Sequence, residues 1–394
     1  MFSAKEKIQR LLDKAGVTIN GPHDFDIQVH NEKLYGRVLL GGSLALGESY
    51  IDGWWDAKNL DQFFHKILSA GLSEEFKLTW PTLLTFLKTY LFNLETPSRS
   101  FEVGQKHYDI GNDVYEAMLD KRLVYTCGYW APSTDSTGSL QASSGQAERN
   151  LDEAQEAKLD LVCRKIGLKK SDRVLDIGCG WGSFLKFASE TYGAKGTGVT
   201  VSKNQVALAK EVCQGLPIEI LLQDYRDVKG SFDHIVSLGM FEHVGVKNYR
   251  TYMQKAHDLL KDGGLFLLHT IGVSQPLEFV DPWVEKYIFP NSILPAPVEV
   301  SKAMEGLFTI EDWHNFGADY DKTLMAWFEN FDAAWPQLSA KYSDPSIPLR
   351  ASKFYRMWKY YLLSFAGSFR ARNLQLWQIV LSKRGVPGGY KSVR

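Results

Sequence analysis

Apolar residues recur at helical spacing through the first part of the chain. Ile8, Leu11 and Leu12 share one face of a predicted helix. The segments 60–68 and 83–94 place their leucine and aromatic residues on one face in the same way. We therefore expect the first hundred residues to be mainly helical.

A short polar stretch that contains a proline interrupts this pattern after residue 94. We place a linker at 96–100, between a small, mainly helical N-terminal domain, 1–95, and a second domain, 101–394. A later polar stretch, 132–150, has almost no apolar residues and predicts a mobile loop.

Short apolar runs alternate with helical segments between residues 173 and 272. The apolar runs predict strands at 173–177, 196–200, 219–222, 232–237 and 264–270. Helical spacing predicts helices at 151–166, 183–192, 203–213 and 249–260. This alternation indicates an α/β fold, in which helices cover both faces of a parallel sheet.

The composition indicates a globular protein. Hydrophobic residues make up 44% and charged residues 23%, as is typical of globular proteins. No run approaches about 18 consecutive apolar residues, so we expect no membrane-spanning helix. The first residues contain no signal-peptide core, and the four cysteines form no C-x-x-C pair. We therefore expect a cytosolic protein with free thiols and no metal site.

The net charge of −1 conceals an uneven distribution of charge along the chain. Residues 341–394 contain eleven basic residues and a single acid, Asp344, so that segment carries +10 and the rest carries −11. A basic segment on a nearly neutral protein points to an anionic partner, either a membrane surface or a nucleic acid. Charges scattered over a solvated surface are the alternative.

The sharpest motif is V-L-D-I-G-C-G-W-G, in which an apolar strand runs into a glycine-rich turn before a helix. Gly178, Gly180 and Gly182 let a ligand approach the backbone, and the helix start offers free N–H groups. The dinucleotide fingerprint requires its third glycine at the position of Ser183. Asp176 is typical instead of S-adenosylmethionine sites, where an acid accepts hydrogen bonds from the methionyl ammonium. A structural glycine turn in another doubly wound protein is the alternative.

Polar residues after the next two strands extend this predicted cofactor site. They are Thr200, Ser202 and Gln205 after the second strand, and Asp224, Tyr225 and Arg226 after the third. The Asp224 carboxylate can accept a hydrogen bond from an adenine amino group. Many methyltransferases carry an acid at the end of the second strand to hold the ribose hydroxyls. This chain has none there, and Gln205 is the candidate for that role.

Further polar residues end the fourth and fifth predicted strands. Glu242 and His243 follow the fourth strand, and His269 ends the fifth. Each one alone could be a satisfied core residue, and a lone buried histidine is more often structural than catalytic. Because the carboxyl ends of parallel strands share one edge of a sheet, the three together predict a reaction site there.

At this point the chain resembles a known family. The motifs that carry the resemblance are H-Y-D-I-G-N-D, Y-T-C-G-Y-W, V-L-D-I-G-C-G-W-G, G-M-F-E-H-V-G, L-L-H-T-I-G, D-P-W-V-E-K-Y-I-F-P and G-A-D-Y-D-K-T-L, in this order. They are similar to those of the cyclopropane-fatty-acyl-phospholipid synthases. G-E-S-Y-I-D-G-W-W near residue 50 extends the similarity into the N-terminal domain, which the related mycolic acid cyclopropane synthases lack.

The resemblance implies a fold and an activity. The fold is a class I S-adenosylmethionine-dependent methyltransferase domain of Rossmann-like type, preceded by the small helical domain. The activity is transfer of a methylene group from S-adenosylmethionine to the cis double bond of a phospholipid acyl chain. The family also implies a carbocation on the chain, which bound bicarbonate deprotonates so that the cyclopropane ring closes.

The resemblance also implies residue roles. Those expected to hold bicarbonate are Cys127, Glu242, His269, Tyr320 and the backbone at Ile271. Tyr125 and Thr126 join the expected cofactor site. Aromatic side chains are expected to shield the cation, and the motifs offer Tyr108, Tyr125, Tyr129, Trp130, Phe241, Tyr287 and Phe289. For any single one of these rings, packing in the core is the alternative.

One residue departs from the family pattern. Some members carry a cysteine, proposed as catalytic, where this chain has Phe365. We expect that cysteine to be dispensable, because the residues expected at the bicarbonate site are all present. A non-catalytic lipid-binding protein and a lipid methyltransferase that closes no ring are the alternatives. A nucleic-acid partner is not expected, since no N-P-P-Y-type tetrapeptide is present.

The expected partners follow from the substrate. We expect peripheral binding to anionic phospholipids at the inner face of the cell membrane, through the basic segment 341–394. The amphipathic segment 83–94 is a second candidate for lipid contact, with packing inside the N-terminal domain as its alternative. The family resemblance implies a homodimer.

Overall fold

The structure is a computed structural model that describes residues 2–72, 112–131, 149–277, 279–343 and 351–394. The predicted helix at 83–94, the predicted linker at 96–100, nearly all of the predicted mobile loop and the ring of Tyr108 lie outside the described residues. The proposed domain boundary therefore stays a prediction.

Short helices and a two-stranded ribbon form the N-terminal part of the described chain. They are α1 (Ala4–Asp13), β1 (Gln28–Val29), α2 (Lys33–Ile51), β2 (Trp55–Asp56) and α3 (Leu60–Ser69). The α1 helix begins with a capping box, in which the side chains of Ser3 and Glu6 each accept the other's main-chain N–H. The sequence pattern does not reveal α2, because glycines interrupt its apolar spacing and the helix breaks at Gly42.

A seven-stranded sheet lies at the centre of the described residues. Its strands are β3 (Arg173–Ile177), β4 (Lys195–Thr200), β5 (Ile218–Leu222), β6 (Phe232–Leu238), β7 (Leu260–Gly272), β8 (Thr309–Asn315) and β9 (Gln375–Ser382). Their order is β5-β4-β3-β6-β7-β9-β8, and β9 runs antiparallel to both of its neighbours. The carboxyl ends of the parallel strands β3 to β7 meet along one edge, where open sheets bind ligands.

Helices flank the sheet and connect its strands. They are α4 (Asn112–Met118), α5 (Leu151–Lys165), α6 (Ser183–Tyr192), α7 (Lys203–Val212), α8 (Tyr249–Leu259), α9 (Pro282–Tyr287), α10 (Pro297–Met304), α11 (Ala318–Leu338) and α12 (Ala351–Arg370). The five predicted strands and the predicted helices from α5 to α8 are confirmed within four residues at each end. The sequence pattern did not identify β8 or β9, so the predicted parallel sheet is extended by an antiparallel strand.

The N-terminal helices share a hydrophobic core with α12. The ring of Phe64 in α3 packs edge-on against Tyr360 in α12, with 5.2 Å between the ring centroids. A methyl group added at Gly367 would lie 2.6 Å from the carbonyl oxygen of Asp61. Glycine therefore permits α3 and α12 to approach this closely, and the N-terminal helices are packed directly on the rest of the protein.

The basic C-terminal segment is largely engaged in ion pairs with acids from elsewhere in the chain. The pairs are Lys341–Asp113, Lys353–Asp52, Arg356–Asp56, Arg370–Asp61, Arg370–Asp321, Lys383–Asp262 and Arg394–Asp312. Much of the +10 charge is thus neutralised locally, which weakens the inference of an exposed basic face. Within the described ranges, no helix combines the length and the apolar character that a membrane span requires.

Candidate active site

The glycine-rich turn lies between β3 and α6, at the sheet edge predicted for the cofactor. Gly178, Gly180 and Gly182 all have positive φ angles, of 85°, 53° and 82°. A methyl group at Gly178 would lie 2.6 Å from the side chain of Met240, whereas one at Gly180 would meet no atom within 4 Å. The turn therefore needs glycine for its conformation, and at Gly180 its backbone is open to a ligand.

Asp176 immediately precedes this turn and is almost fully buried. Its Oδ1 atom has no hydrogen-bond partner among the described residues. Burial raises the pKa of the carboxyl from 3.8 to about 7, and the positive charge of Lys158 opposes this rise. A buried acid with an unused oxygen fits the cationic amino group of a ligand, as the sequence predicts.

The polar residues after β4 and β5 are connected to one another. The hydroxyl of Thr200 donates to Oε1 of Gln205 over 2.7 Å, and Ser202 caps α7 by accepting the Gln205 main-chain N–H. The two carboxylate oxygens of Asp224 accept the main-chain N–H and the guanidinium of Arg226, each over 2.9 Å. These contacts hold the side chains of Thr200, Gln205 and Asp224 at the carboxyl ends of β4 and β5.

A cavity of about 1260 Å³ runs from this turn into the interior. The predicted cofactor residues that line it are Tyr125, Thr126, Asp176, Gly178, Gly180, Thr200, Gln205, Asp224, Tyr225 and Arg226. Gly182 and Ser202 are not on its wall. Instead, Gly182 packs against Cys213, and Ser202 caps α7, so both support the site from behind.

Glu242 is anchored where the cofactor end of the cavity meets the interior. Its Oε1 atom accepts the main-chain N–H of Ile271 over 2.6 Å, and Oε2 has no partner within the described part of the chain. Burial raises the pKa of the carboxyl from 4.5 to about 7. Glu242 and Ile271 both line the cavity. The Ile271 N–H was expected to donate to bicarbonate, but in the structure it donates to Glu242 and positions that carboxylate.

His269 is held from the neighbouring strand. Its Nδ1 atom lies 3.3 Å from Nε2 of Gln378, its cross-strand partner on β9, and its own Nε2 has no partner among the residues described. Burial, followed by the charges of Lys158 and Lys165, lowers the pKa of His269 well below its usual range. The ring is therefore neutral, and the amide nitrogen that Gln378 directs at Nδ1 favours the tautomer with the proton on Nε2.

Cys127 is fully buried. Its Sγ atom donates to the carbonyl of Gly128 over 3.1 Å and lies 3.6 Å from the hydroxyl of Thr323. Burial raises the pKa of the thiol well above its usual range. A neutral, buried thiol is a poor nucleophile, so Cys127 is suited to donate a hydrogen bond and not to form a covalent intermediate.

Tyr320 lines the cavity, as Glu242 does. Its ring stacks on Phe369 of α12, with 4.4 Å between the ring centroids. Burial raises the pKa of its hydroxyl well above the usual range, so Tyr320 is a hydrogen-bond donor at neutral pH. Cys127 and His269 themselves lie behind the cavity wall.

Two buried polar residues of α5 belong to this site, and sequence reasoning missed them. The amide of Gln155 donates to the carbonyl of Thr126 over 2.7 Å, and Nζ of Lys158 donates to the Thr126 hydroxyl over 2.8 Å. Both side chains are fully buried, and Lys158 lines the cavity. The sequence signal that could have revealed them is their spacing of three residues, which places two polar side chains on the same face of a helix.

The far end of the cavity is apolar. The N-terminal residues that line it include Ile8, Leu11, Leu12, Leu34, Val38, Phe63 and Leu68. Among the aromatic residues expected to shield a cation, Tyr125 and Phe289 lie on the wall, whereas Phe241 is stacked on Tyr249 in the core. Phe365 also lines the cavity and packs against Phe289 and Tyr361.

Comparison with known proteins gives consistent matches. The family model for mycolic acid cyclopropane synthetase matches residues 95–379. The cyclopropane-fatty-acyl-phospholipid synthase of Escherichia coli (strain K12) is 48% identical over 98% of this chain and 94% of its own. Sphingolipid C9-methyltransferase 2 of Gibberella zeae is 34% identical over 75% of this chain, which spans 57% of that protein.

Among solved structures, the mycolic acid cyclopropane synthase CmaA1 complexed with SAH and CTAB aligns with a TM-score of 0.62. It is 29% identical and covers 72% of this chain and 98% of its own. The match and the strand order confirm the predicted α/β fold of class I S-adenosylmethionine-dependent methyltransferases. The chain therefore belongs to the family of S-adenosylmethionine-dependent cyclopropane-fatty-acyl-phospholipid synthases.

Proposed function

We propose that this enzyme transfers a methylene group from S-adenosylmethionine across the cis double bond of an unsaturated phospholipid acyl chain, which becomes a cyclopropane. The observation that carries the proposal is the single cavity that joins the glycine turn to an apolar interior, with Glu242 and Tyr320 on its wall. The name of the Escherichia coli relative supports the same substrate class.

The cofactor end of the cavity fits S-adenosylmethionine. The unused Oδ1 of Asp176 accepts the methionyl ammonium, the open backbone at Gly180 allows close approach, and Asp224 accepts from the adenine. When bound, S-adenosylmethionine supplies an electrophilic methyl group. The protein's part is to hold that methyl against the double bond and exclude water.

The polar corner around Glu242 fits a bicarbonate ion, which supplies a base when bound. Tyr320 offers a phenolic O–H at the cavity wall. His269 does not line the cavity, but its neutral ring has an Nε2 atom without a partner among the described residues, and we assign that atom as a second donor. Glu242 Oε2 accepts the bicarbonate hydroxyl, and Ile271 holds that carboxylate in place through Oε1. Cys127 supports this corner as a neutral thiol that packs against Thr323.

Aromatic side chains shield the positive charge that develops on the acyl chain. Tyr125, Phe289, Tyr361 and Phe365 line the cavity, and the hydroxyls of Tyr125 and Tyr361 lie 2.9 Å apart. Ring faces stabilise a nearby cation, and a dry wall keeps water from adding to it. The cation therefore persists long enough to lose a proton from the new methyl group and close the ring.

The substrate requires contact with a lipid surface. We infer that the enzyme binds anionic phospholipid membranes peripherally, at the inner face of the cell membrane, and works as a homodimer. The apolar cavity supports the lipid assignment. The homodimer is carried over from the family resemblance seen in the sequence. Because many C-terminal cations are paired, the charge contribution of that segment is smaller than its sequence suggests.

A second candidate function is methyl transfer to an unsaturated lipid without ring closure. The similarity to sphingolipid C9-methyltransferase 2 favours it. The polar corner around Glu242 favours the cyclopropane product instead, because a base placed beside the new methyl group removes one of its protons.

A product assay tests the proposal. The purified enzyme is incubated with S-adenosylmethionine, bicarbonate and anionic vesicles of a cis-monounsaturated phospholipid, and the acyl esters are examined by proton NMR. Upfield cyclopropane protons with loss of the alkene signal are expected. Vesicles of saturated lipid are the control for the substrate, and zwitterionic vesicles test the charge requirement. A methyl-branched alkene would support the second candidate, and absence of any lipid product would overturn both.

A further inference from the structure

Helix α5 buries two lysines whose surroundings differ. The Nζ atom of Lys165 lies 3.6 Å from a carboxylate oxygen of Asp312 and 3.0 Å from His314, so its charge is compensated. Lys158 is equally buried, but its hydrogen bond goes to the neutral hydroxyl of Thr126. Among the described residues, no carboxylate forms an ion pair with Lys158 within 4.0 Å.

Two carboxylates, Asp120 and Asp176, interact electrostatically with Lys158, but neither forms an ion pair with it. Asp120 accepts the main-chain N–H groups of Arg122 and Val124, so its carboxylate stabilises a turn. Asp176 acts on Lys158 through space, yet one of its own oxygens has no partner within the described ranges. Burial lowers the pKa of Lys158 to about 8 and raises that of Asp176 to about 7, because neither charge is fully compensated.

Lys158 and Asp176 thus place one base and one acid on the wall of the same cavity without pairing them. An uncompensated buried charge costs several kcal/mol, so two such groups point to a ligand that carries both opposite charges. The α-amino-acid end of S-adenosylmethionine is a zwitterion of that kind, with an ammonium and a carboxylate on one carbon.

We propose that Lys158 binds the carboxylate of S-adenosylmethionine, opposite the ammonium bound by Asp176. The assignment rests on the proposed cofactor placement and adds a recognition residue to it. Position supports it, because Asp176 and Thr126 both lie beside the same strand. Asp176 pairs with Val236 near the end of β6, and a methyl group at Gly239, directly after β6, would lie 2.8 Å from the Thr126 side chain.

Two ligands that differ at the amino-acid end test the proposal by direct binding. S-adenosylhomocysteine carries the amino acid, whereas 5′-methylthioadenosine keeps the adenosine and sulfur but lacks it. Calorimetry of Lys158→Met is expected to show at least tenfold weaker binding of S-adenosylhomocysteine, with 5′-methylthioadenosine affected less than threefold. Lys158→Arg is expected to recover part of the loss, because it restores the charge.

Lys165→Met is the matched control, since it removes an equally buried lysine from the same helix away from the cavity wall. It is expected to lower thermal stability and to leave the ratio of the two affinities unchanged. Equal weakening of both ligands by Lys158→Met would show a purely structural role and overturn the proposal. Unchanged S-adenosylhomocysteine binding with a lost bicarbonate dependence of turnover would overturn it in favour of the bicarbonate ion.

The binding test of Lys158 and the product assay of the proposed function can fail independently. Wild-type enzyme that binds S-adenosylhomocysteine but makes no cyclopropane would contradict the function and leave the assignment of Lys158 open to the binding test. Wild-type enzyme that binds neither ligand would contradict both.

Discussion

The main-chain N–H of Ile271 donates to Oε1 of Glu242 over 2.6 Å, while Oε2 of the same carboxylate keeps an unused acceptor at the cavity wall. One oxygen therefore fixes the orientation of the group and the other is available for chemistry. The contact joins the end of β7 to the turn after β6, so the geometry depends on the sheet edge and not on either segment alone.

Glu242→Gln is expected to lower turnover at least tenfold and to leave S-adenosylhomocysteine binding within twofold of the wild-type value. The amide can still accept the Ile271 N–H, but it no longer offers a carboxylate to a bicarbonate hydroxyl. Steady-state kinetics and calorimetry measure the two effects. Glu299→Gln, at a helix start away from the cavity, is the control for loss of a half-buried carboxylate that accepts a main-chain N–H. Unchanged turnover would remove Glu242 from the mechanism.

Asp176→Asn is expected to stabilise the ligand-free protein at neutral pH while it weakens cofactor binding. The folded-state pKa of about 7 exceeds the ordinary 3.8, so the folded state binds the extra proton and loses stability as the pH rises from about 4 to 7. Asparagine removes this loss, which amounts to about 2–4 kcal/mol above pH 7 and vanishes below pH 4. Urea unfolding at pH 4, 6 and 8 measures the difference, and a pH-independent difference would contradict the assignment.

Gln378→Leu is expected to lower turnover about tenfold with cofactor affinity unchanged, because the amide no longer holds the His269 proton on Nε2. The distinguishing measurement is nitrogen NMR of the imidazole, which reports the tautomer directly. Gln375→Leu, on the same strand but with a more exposed side chain, is the control. If the tautomer and turnover both stay as in the wild type, Gln378 does not position His269.

Phe365→Cys is expected to keep turnover within about threefold and the cyclopropane product unchanged. The ring packs on Phe289 and Tyr361 at the cavity wall, so its role is to fill space and not to react. The truncation is expected to cost about 1–3 kcal/mol of stability. Product analysis and thermal unfolding measure the two effects. A large gain in turnover from the new thiol would contradict the view that the family cysteine is dispensable.

Two glycines of α2 give a matched pair of substitutions. A methyl group at Gly47 would lie 2.4 Å from the ring of Trp283, which lines the cavity, so Gly47→Ala is expected to destabilise the protein by about 1–3 kcal/mol. Gly36 is exposed and a methyl group there meets no atom within 4 Å, so Gly36→Ala is expected to stabilise the helix by about 0.5–1 kcal/mol. Chemical unfolding of both variants measures the contrast, and equal effects would contradict it.

Local chemistry along the chain was enough to predict the cofactor half of the site. The strand, the acid Asp176 and the three glycines are contiguous, and each property they need is visible in the residue type. The strands from β3 to β7 and the helices from α5 to α8 were also predictable, because the apolar pattern of each element lies within one continuous segment. The family motifs then predicted Glu242, His269 and Tyr320 as site residues, although their mutual geometry was not available from sequence.

The elements that the pattern missed depend on distant partners. β8 and β9 complete the sheet only through antiparallel pairing after the intervening helices, and α2 contains a break at Gly42 that no helical periodicity reveals. The +10 charge of the C-terminal segment likewise contributes less to an exposed basic surface, because Arg356 and Arg370 form ion pairs with acids from the N-terminal part of the chain.

By itself the sequence determined the fold class, the family and the residues that are chemically suited to the reaction. Only the tertiary structure decided which of them share a surface. Cys127 and His269 lie behind the cavity wall, whereas Lys158 and Asp176 both line the cavity. Gln378 of β9 pairs with His269 of β7 across the two neighbouring strands. Burial and pairing depend on contacts between residues far apart in the chain, and a residue type does not encode them.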